Sequence, residues 1–499
     1  MYTIWRKKEE TMSCTTILVG KKATYDGSTM IARNDDCPSG QFHAKKLIVV
    51  HPEEQPRPYR SKISRIEIDL PEECLRYTCM PSVDDSDGIW GAAGTNSENV
   101  SMTATETITT NERVLASDPL CFRKDEYGKL QPDGIGEEDL LVLILPYIHS
   151  AREGVIRLAE LLETYGTYES NGIAFADKDE IWWVETIGGH HYIAKKVPDD
   201  RYVIMPNQFG MDEFDFEDAY GDKQNHMCSS DLRFFIEENH LNLNINSPFN
   251  PRLAFGSHSD SDHVYNTPRA WFMARYLNPN SYTWEGPNAN FTPLSDDIPW
   301  SLVPERKITV EDIKYLLSSH YQGTPYDPYA KFGDPSMRGA YRPIGISRTS
   351  FLSLHQTRPY VPNEASVIEW IAFGSNAFNA FVPLYANVEV IPDYFSKTPL
   401  LPNSEHFYWA NRFIGALADP HFNACAQHIE RYRLLVQSQA LRLIRQNDDV
   451  FGKYMESNIL QEANKDIAEL VKKETDALLD KILYTASCLM KNGYNRSDN

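Results

Sequence analysis

Cys14 stands at the head of a strand-like run in TMSCTTILVG, residues 11–20. A reduced thiol in a strand needs no chemical role, because it packs as a small hydrophobe. If everything before it were removed, however, Cys14 would carry both a thiol nucleophile and a free α-amino group. An amine of pKa about 7.7–8.0 serves as a built-in general base near neutral pH. Such a residue needs an anion to hold the ammonium, a cation to favour thiolate, and donors for the oxyanion of an acyl-transfer intermediate. STMIARNDD, residues 28–36, offers the first two on the strand expected to pair with that of Cys14. Arg33 and Asp36 are read as bracketing a turn at that strand's end, so that both converge on one point; the alternative is a surface ion pair. Asn207, in VIMPNQF, ends another predicted strand and offers an amide donor, although asparagine is also a common turn residue.

A second constellation is HSDSDH, residues 258–263, where His258, Asp260, Asp262 and His263 could ligate a metal. No outlying ligand run completes the set, so a polar loop is the plainer reading. His190 and His191 in GGHHY point to opposite faces if that run is a strand, so at most one of them joins any given site. CLRYTC at 74–79 has no partner pair at zinc-ligand spacing. HExxH, GxSxG, GxGxxG and GxxxxGK[ST] signatures are all missing.

The elements that must position these residues fall into blocks. Residues 14 to about 115 alternate short apolar runs with turn signals and predict strands. Residues 137–166 place apolar side chains at i, i+3 and i+4 behind an acidic start, which predicts two helices in succession. Residues 172–209 are β-rich and broken by DKD, GG and PDD, as in antiparallel strands joined by tight turns. From about 210 to 340 the chain reads as loops and short helices; a second sheet-like block follows from Ser347 to Tyr385, and about 80 residues from Asn411 onward read as helical. This order suits a layered α+β protein rather than a regular βαβ succession.

Composition bounds the function. The 499 residues carry 49 Lys and Arg against 70 Asp and Glu, a formal charge of −21, which repels nucleic acid and anionic lipid. The longest strongly apolar stretch, LLVLILPYI at 140–148, is far shorter than the roughly 20 residues that span a bilayer. The first thirteen residues contain no apolar run of the kind a secretory signal needs. Eight irregularly spaced cysteines fit a reducing compartment, and the chain reads as cytoplasmic.

CTTILVGKKATYDGSTMIARNDD, together with WWVETIGGHHYIAKKVPDDRYVIMPNQF, resembles the dipeptidases of peptidase family C69, which are N-terminal-nucleophile cysteine hydrolases. It is more distantly similar to bile salt hydrolases and penicillin acylases, whose Arg-Asn-x-Asp element matches Arg33, Asn34, Asp35 and Asp36. The resemblance implies a four-layer αββα sandwich with a helical C-terminal extension. It implies a leader, residues 1–13, removed on maturation, a catalytic domain over 14–400 and a helical region over 401–499. Met12 also leaves open an upstream start, with only Met-Ser to remove. Carried over, Cys14 is nucleophile and amine base, Arg33 and Asp36 tune and orient it, and Asn207 aids the oxyanion. No metal and no cofactor are implied. The acylases' second oxyanion residue would fall near Thr105 and Glu106, where this chain lacks the asparagine.

A dipeptidase must hold an α-ammonium and an α-carboxylate at opposite ends of a pocket, roughly 7 Å apart. Glu106 is the candidate for the ammonium and Arg348, in GISRTSF, for the carboxylate. The expected partners are small peptides, with neither nucleic acid nor membrane, and a homo-oligomer is expected. Two other functions stay open: an acylase of N-acyl substrates using the same nucleophile, and a non-catalytic, secernin-like protein.

Overall fold

In a computed structural model of the chain, residues 14–245 and 247–491 are described; the leader expected over residues 1–13 lies outside them, as does the side chain of Thr105. Two large sheets dominate. Along the chain their strands are β1 (Thr15–Val19), β2 (Thr29–Asp36), β3 (Ala93–Thr95), β4 (Ser101–Thr107), β5 (Asn171–Ala176), β6 (Ile181–Ile187), β7 (His191–Lys196), β8 (Tyr202–Met205), β9 (His226–Cys228), β10 (Ser301–Leu302), β11 (Thr349–Thr357), β12 (Val367–Phe373) and β13 (Val382–Tyr385). The seven-stranded sheet runs β10–β8–β1–β2–β11–β12–β13, and the six-stranded sheet runs β9–β7–β6–β5–β4–β3. Neighbouring strands in both pair antiparallel.

Alternation along each strand splits the buried side chains between two cores. On β1, Ile17 and Val19 join the core beneath the helices, while Leu18 joins the core between the sheets. On β6, Trp182 and Val184 pack toward helices, while Ile181, Trp183 and Ile187 face the other way. The sheets meet where β2 touches β4 and β5 and where β11 touches β3. Every strand of the pair that carries Cys14 is therefore buried on both faces, which suits its β-branched composition.

Helices cover the outer faces. α1 (Glu137–Ile144) and α2 (Ala151–Tyr165) pack on the six-stranded sheet; α3 (Thr267–Leu277) and α4 (Val310–Leu317) pack on the other, beside β8 and β2. α5 (Phe407–Ala418), α6 (Phe422–Tyr454) and α7 (Ser457–Cys488) then lie against β12 and β13, so the C-terminal helical region is part of the same packed body. α1 opens on Glu137, Glu138 and Asp139, which complement the positive end of the helix dipole. Pro146, in the 3-10 turn Leu145–Tyr147, separates the two helices expected over 137–166.

The last strand of the 172–209 block does not continue its hairpins. β8 crosses to the other sheet and pairs with β1, with Thr16 opposite Met205. The crossing is tight: a β-carbon on Gly20 would lie 2.4 Å from the Pro198 carbonyl oxygen and 2.5 Å from that of Asp199. This switch brings the loop after β8, and Asn207 with it, to the start of β1.

Candidate active site

Cys14 immediately precedes β1 and is fully buried. Its parity matches Thr16 and Leu18, so its side chain belongs to the inter-sheet face. On β2, Arg33 lies opposite Thr16 and shares the face of Ile31. Arg33 Nη2 donates to Cys14 Sγ at 3.1 Å, to Asp35 Oδ1 at 2.9 Å and to Glu137 Oε1 at 3.0 Å. Asp35 Oδ2 also lies 3.5 Å from Lys45 Nζ. Burial raises the Asp35 carboxyl, but Lys45 and Arg33 outweigh it and hold the group below its ordinary value. Burial pushes the Cys14 thiol far up against the pull of Arg33, so it rests as a neutral thiol.

Asp36 does not converge with Arg33. The strand runs on through Asp36 instead of turning, and three residues along a strand is an odd step, so the two side chains point to opposite faces. Asp36 accepts hydrogen bonds from Arg342 and Thr349 on the helix-facing side. The acid that meets Arg33 is Asp35, one residue earlier.

Asn207 has φ +67°, and its backbone N donates to Glu106 Oε1 at 2.6 Å. Its side-chain Nδ2 donates to the Thr107 carbonyl at 2.8 Å, and its Oδ1 accepts from Arg269 Nη2 at 2.8 Å. Arg269, fully buried on α3, was not singled out from sequence. Its Nη1 donates to the Cys14 carbonyl and, at 2.6 Å, to Thr15 Oγ1, while Nη2 also reaches Pro206 O and Asn266 Oδ1, both at 2.9 Å. One guanidinium therefore ties the backbone of Cys14 to the loop of Asn207. A signal was present: Phe272 and Met273, three and four residues on, are buried apolar side chains, so helical spacing sets Arg269 on the buried face.

Glu106 is fully buried, and its Oε2 has no hydrogen-bond partner among the described residues. Burial raises its carboxyl to about 7, against the opposing charge of Arg269. Glu185 on β6 behaves alike, raised to about 7 by burial although its Oε1 accepts from Trp183 Nε1 at 3.0 Å and Gly210 N at 2.7 Å. A carboxyl whose folded value exceeds its ordinary 4.5 binds more protons folded than unfolded in between. Its stabilising contribution is complete below that value and is lost as pH rises toward 7. Glu185→Gln keeps the acceptor oxygen, so the urea midpoint of the variant is expected to fall less than that of the parent between pH 4.5 and 7. An equal fall in both would mean that Glu185 is ionised in the folded protein throughout.

Arg348 is half-buried and has no carboxylate partner among the described residues. Burial lowers its pKa, and the neighbouring Arg342 adds to this. It stands on the Asp36–Arg342 side and is not brought into the Arg33 cluster. In HSDSDH, the Asp262 carboxylate accepts from Ser259 N at 2.9 Å and Asn266 Nδ2 at 2.6 Å, and His263 Nε2 lies 3.0 Å from Asp296. Among the described residues no three or more His, Cys, Asp or Glu side chains are grouped to hold a metal ion. The two histidines of GGHHY meet on one carboxylate: His190 Nδ1 and His191 Nδ1 lie 3.1 and 2.7 Å from Asp118. The two rings do not alternate across a strand, because His190 closes the turn and only His191 enters β7.

A buried thiol bonded to a guanidinium lies between two facing antiparallel sheets of an α+β fold. The sequence matches peptidase family C69 over residues 13–434, and the chain belongs to that family of peptide hydrolases. It is 52% identical to the dipeptidase of Bifidobacterium longum, with 98% of this chain and 100% of that one aligned. It is 50% identical to a probable dipeptidase A of Streptococcus pyogenes serotype M18, over 99% and 100% of the two chains. Dipeptidase A of Lactobacillus helveticus is 42% identical over 97% of this chain and 99% of its own. Among the described residues no helix is long and apolar enough to cross a membrane.

Proposed function

We propose that the protein hydrolyses dipeptides through Cys14, exposed as the N-terminal residue by removal of residues 1–13, on a four-layer αββα scaffold of the N-terminal-nucleophile kind. The observation that carries this reading is the 3.1 Å contact between Cys14 Sγ and Arg33 Nη2, with Arg33 itself held by Asp35 and Glu137. The relatives named as dipeptidases, and the outer helices packed on two facing sheets, support it. In this reading residues 14–400 are the catalytic domain and 401–499 a helical region packed on it. The chain works in the cytoplasm, as a homo-oligomer, on small peptides.

The chemistry follows from two groups on one residue. The α-amine takes the thiol proton as Sγ attacks the scissile carbonyl carbon, and Arg33 stabilises charge on sulfur as it develops. The ammonium then protonates the departing amine, leaving a thioester. A water deprotonated by the same amine attacks the thioester carbonyl, the C–S bond breaks, the ammonium returns its proton to Sγ, and the N-terminal amino acid is released. Asn207, pinned by Arg269 beside Cys14, is assigned to the oxyanion, and Asp36, held by Arg342 and Thr349, stiffens the end of β2. An amide nitrogen has no basic lone pair, so a chain retaining residue 13 is expected to be inactive. Intact mass of active enzyme should begin at Cys14; full-rate hydrolysis by a chain that keeps residues 1–13 would overturn the mechanism.

Glu106 is the assigned receptor for the substrate ammonium, because its buried Oε2 has no hydrogen-bond partner among the described residues while its other oxygen orders the Asn207 backbone. Arg348 stands with Asp36 and Arg342 rather than with Arg33, so it is not assigned to the substrate carboxylate. Glu106→Gln is expected to raise KM for free dipeptides by a charged hydrogen bond, about 1.5–3 kcal/mol, while iodoacetamide still alkylates Cys14. Unchanged kinetics, with N-acetylated substrates used equally well, would favour the acylase reading instead.

A further inference from the structure

A second cysteine has a base aligned on it, on the surface and outside the Cys14 cluster. Cys121 is half-buried, and its Sγ lies 3.8 Å from His190 Nε2. On the other side of the ring, His190 Nδ1 lies 3.1 Å from Asp118 Oδ1, and the His190 backbone N donates to Asp118 Oδ2 at 2.9 Å. Burial raises the Asp118 carboxyl, but the hydrogen bonds from His191 and His190 outweigh it, so the group is an ionised acceptor. A carboxylate can only accept, so Nδ1 carries the ring proton and the Nε2 lone pair faces the thiol. His191 locks the far side of Asp118 and stacks on Phe235 with ring centroids 4.1 Å apart.

The backbone holds this thiol in register. Cys121 N donates to the Thr167 carbonyl at 2.9 Å, and Asp133 N donates to the Cys121 carbonyl at 3.0 Å. Gly166 leaves the space in which thiol and ring meet: a β-carbon there would lie 2.4 Å from Sγ and 2.8 Å from Nε2. Its φ of +65° also favours glycine. The His190 side chain is 50% exposed, so reagents reach the pair from solvent.

We infer that Cys121, His190 and Asp118 form a second thiol site, distinct from Cys14, that exchanges with small disulfides. Thiol–disulfide exchange proceeds by attack of a thiolate and needs no oxyanion donors; at this exposed site His190 is placed to take the proton that makes it. The Cys121 proton passes to His190 Nε2, and the sulfur attacks one sulfur of RS–SR. The S–S bond breaks, and the leaving thiolate takes the proton back from the imidazolium. The products are the Cys121 mixed disulfide and one RSH. Burial, with Asp118 and Asp133, keeps the free thiol above its ordinary value, so proton transfer to His190 is needed to form the thiolate.

The test uses full-length Cys14→Ala protein with glutathione disulfide, following modification of individual cysteines by peptide mass. Cys488, exposed near the end of α7, is the internal reference. Cys121 is expected to form its mixed disulfide at least about tenfold faster than Cys488. His190→Gln, which can still donate to Asp118, is expected to bring Cys121 down to the rate of Cys488 without changing the latter. Loosening of the segment would expose Cys121 and speed its reaction, so slowing reports loss of the base and not loss of structure. A Cys121 rate no greater than that of Cys488, or a rate unchanged or raised by His190→Gln, would overturn the inference.

Discussion

Replacing Cys14 by alanine is expected to lower dipeptide hydrolysis by on the order of 10⁵-fold, since no other group can form the thioester. The fold should survive the change. Sγ is only one of three acceptors of Arg33 Nη2, and Asp35 and Glu137 continue to hold the guanidinium. Stability is therefore expected to move by no more than about 1–2 kcal/mol, the scale of losing one small buried group. Cys14→Ser keeps an acceptor for Arg33 and the α-amine, so it tests nucleophilicity alone; activity should again be greatly reduced. Measured turnover of several dipeptides near the parent rate in Cys14→Ala would remove Cys14 from the mechanism, and an N-terminal amine would then have nothing to activate.

Much of this site is local in sequence, and that part was legible. The pairing of β1 with β2 follows from two β-rich runs separated by a turn, and it places Arg33 near Cys14 whatever else the chain does. The two helices after Gly136 follow from apolar spacing, and the helical stretch read from Asn411 onward falls within the long C-terminal helices. Parity was harder to read. Whether Asp35 or Asp36 meets Arg33 depends on where β2 ends, and NDD carries no signal for a boundary to within one residue. His190 was misplaced for the same reason, since the turn of GGHHY takes one residue more than the strand pattern implies. The remaining partners come from far along the chain: Glu137 is 104 residues from Arg33, and Arg269 is 255 residues from Cys14. Only the crossing of β8 to the other sheet, forced through the narrow space at Gly20, makes Asn207 and Arg269 neighbours of β1, and nothing in the local pattern announces that crossing.

Glu137 turns the Arg33 cluster into a statement about stability as well as chemistry. Arg33 is fully buried between two carboxylates whose side chains are 9% and 2% exposed. Removing the cation while leaving the acids is the costly way to break a buried pair, because the abandoned charges remain desolvated. Arg33→Met is therefore expected to destabilise the protein by about 3–5 kcal/mol, read as a urea midpoint shift with unchanged slope. Lys45 can still serve Asp35. Arg33→Lys should recover only part of the loss, since one ammonium cannot reproduce the forked contacts to a thiol and two acids. The decisive comparison is Arg33→Met combined with Asp35→Asn and Glu137→Gln. If the loss arises from stranded charge, neutralising both acids should return stability toward that of the parent while activity stays low. If the triple variant is as unstable as Arg33→Met alone, the guanidinium is held by packing rather than by charge, and its assignment as the group that stabilises the Cys14 sulfur loses its physical basis.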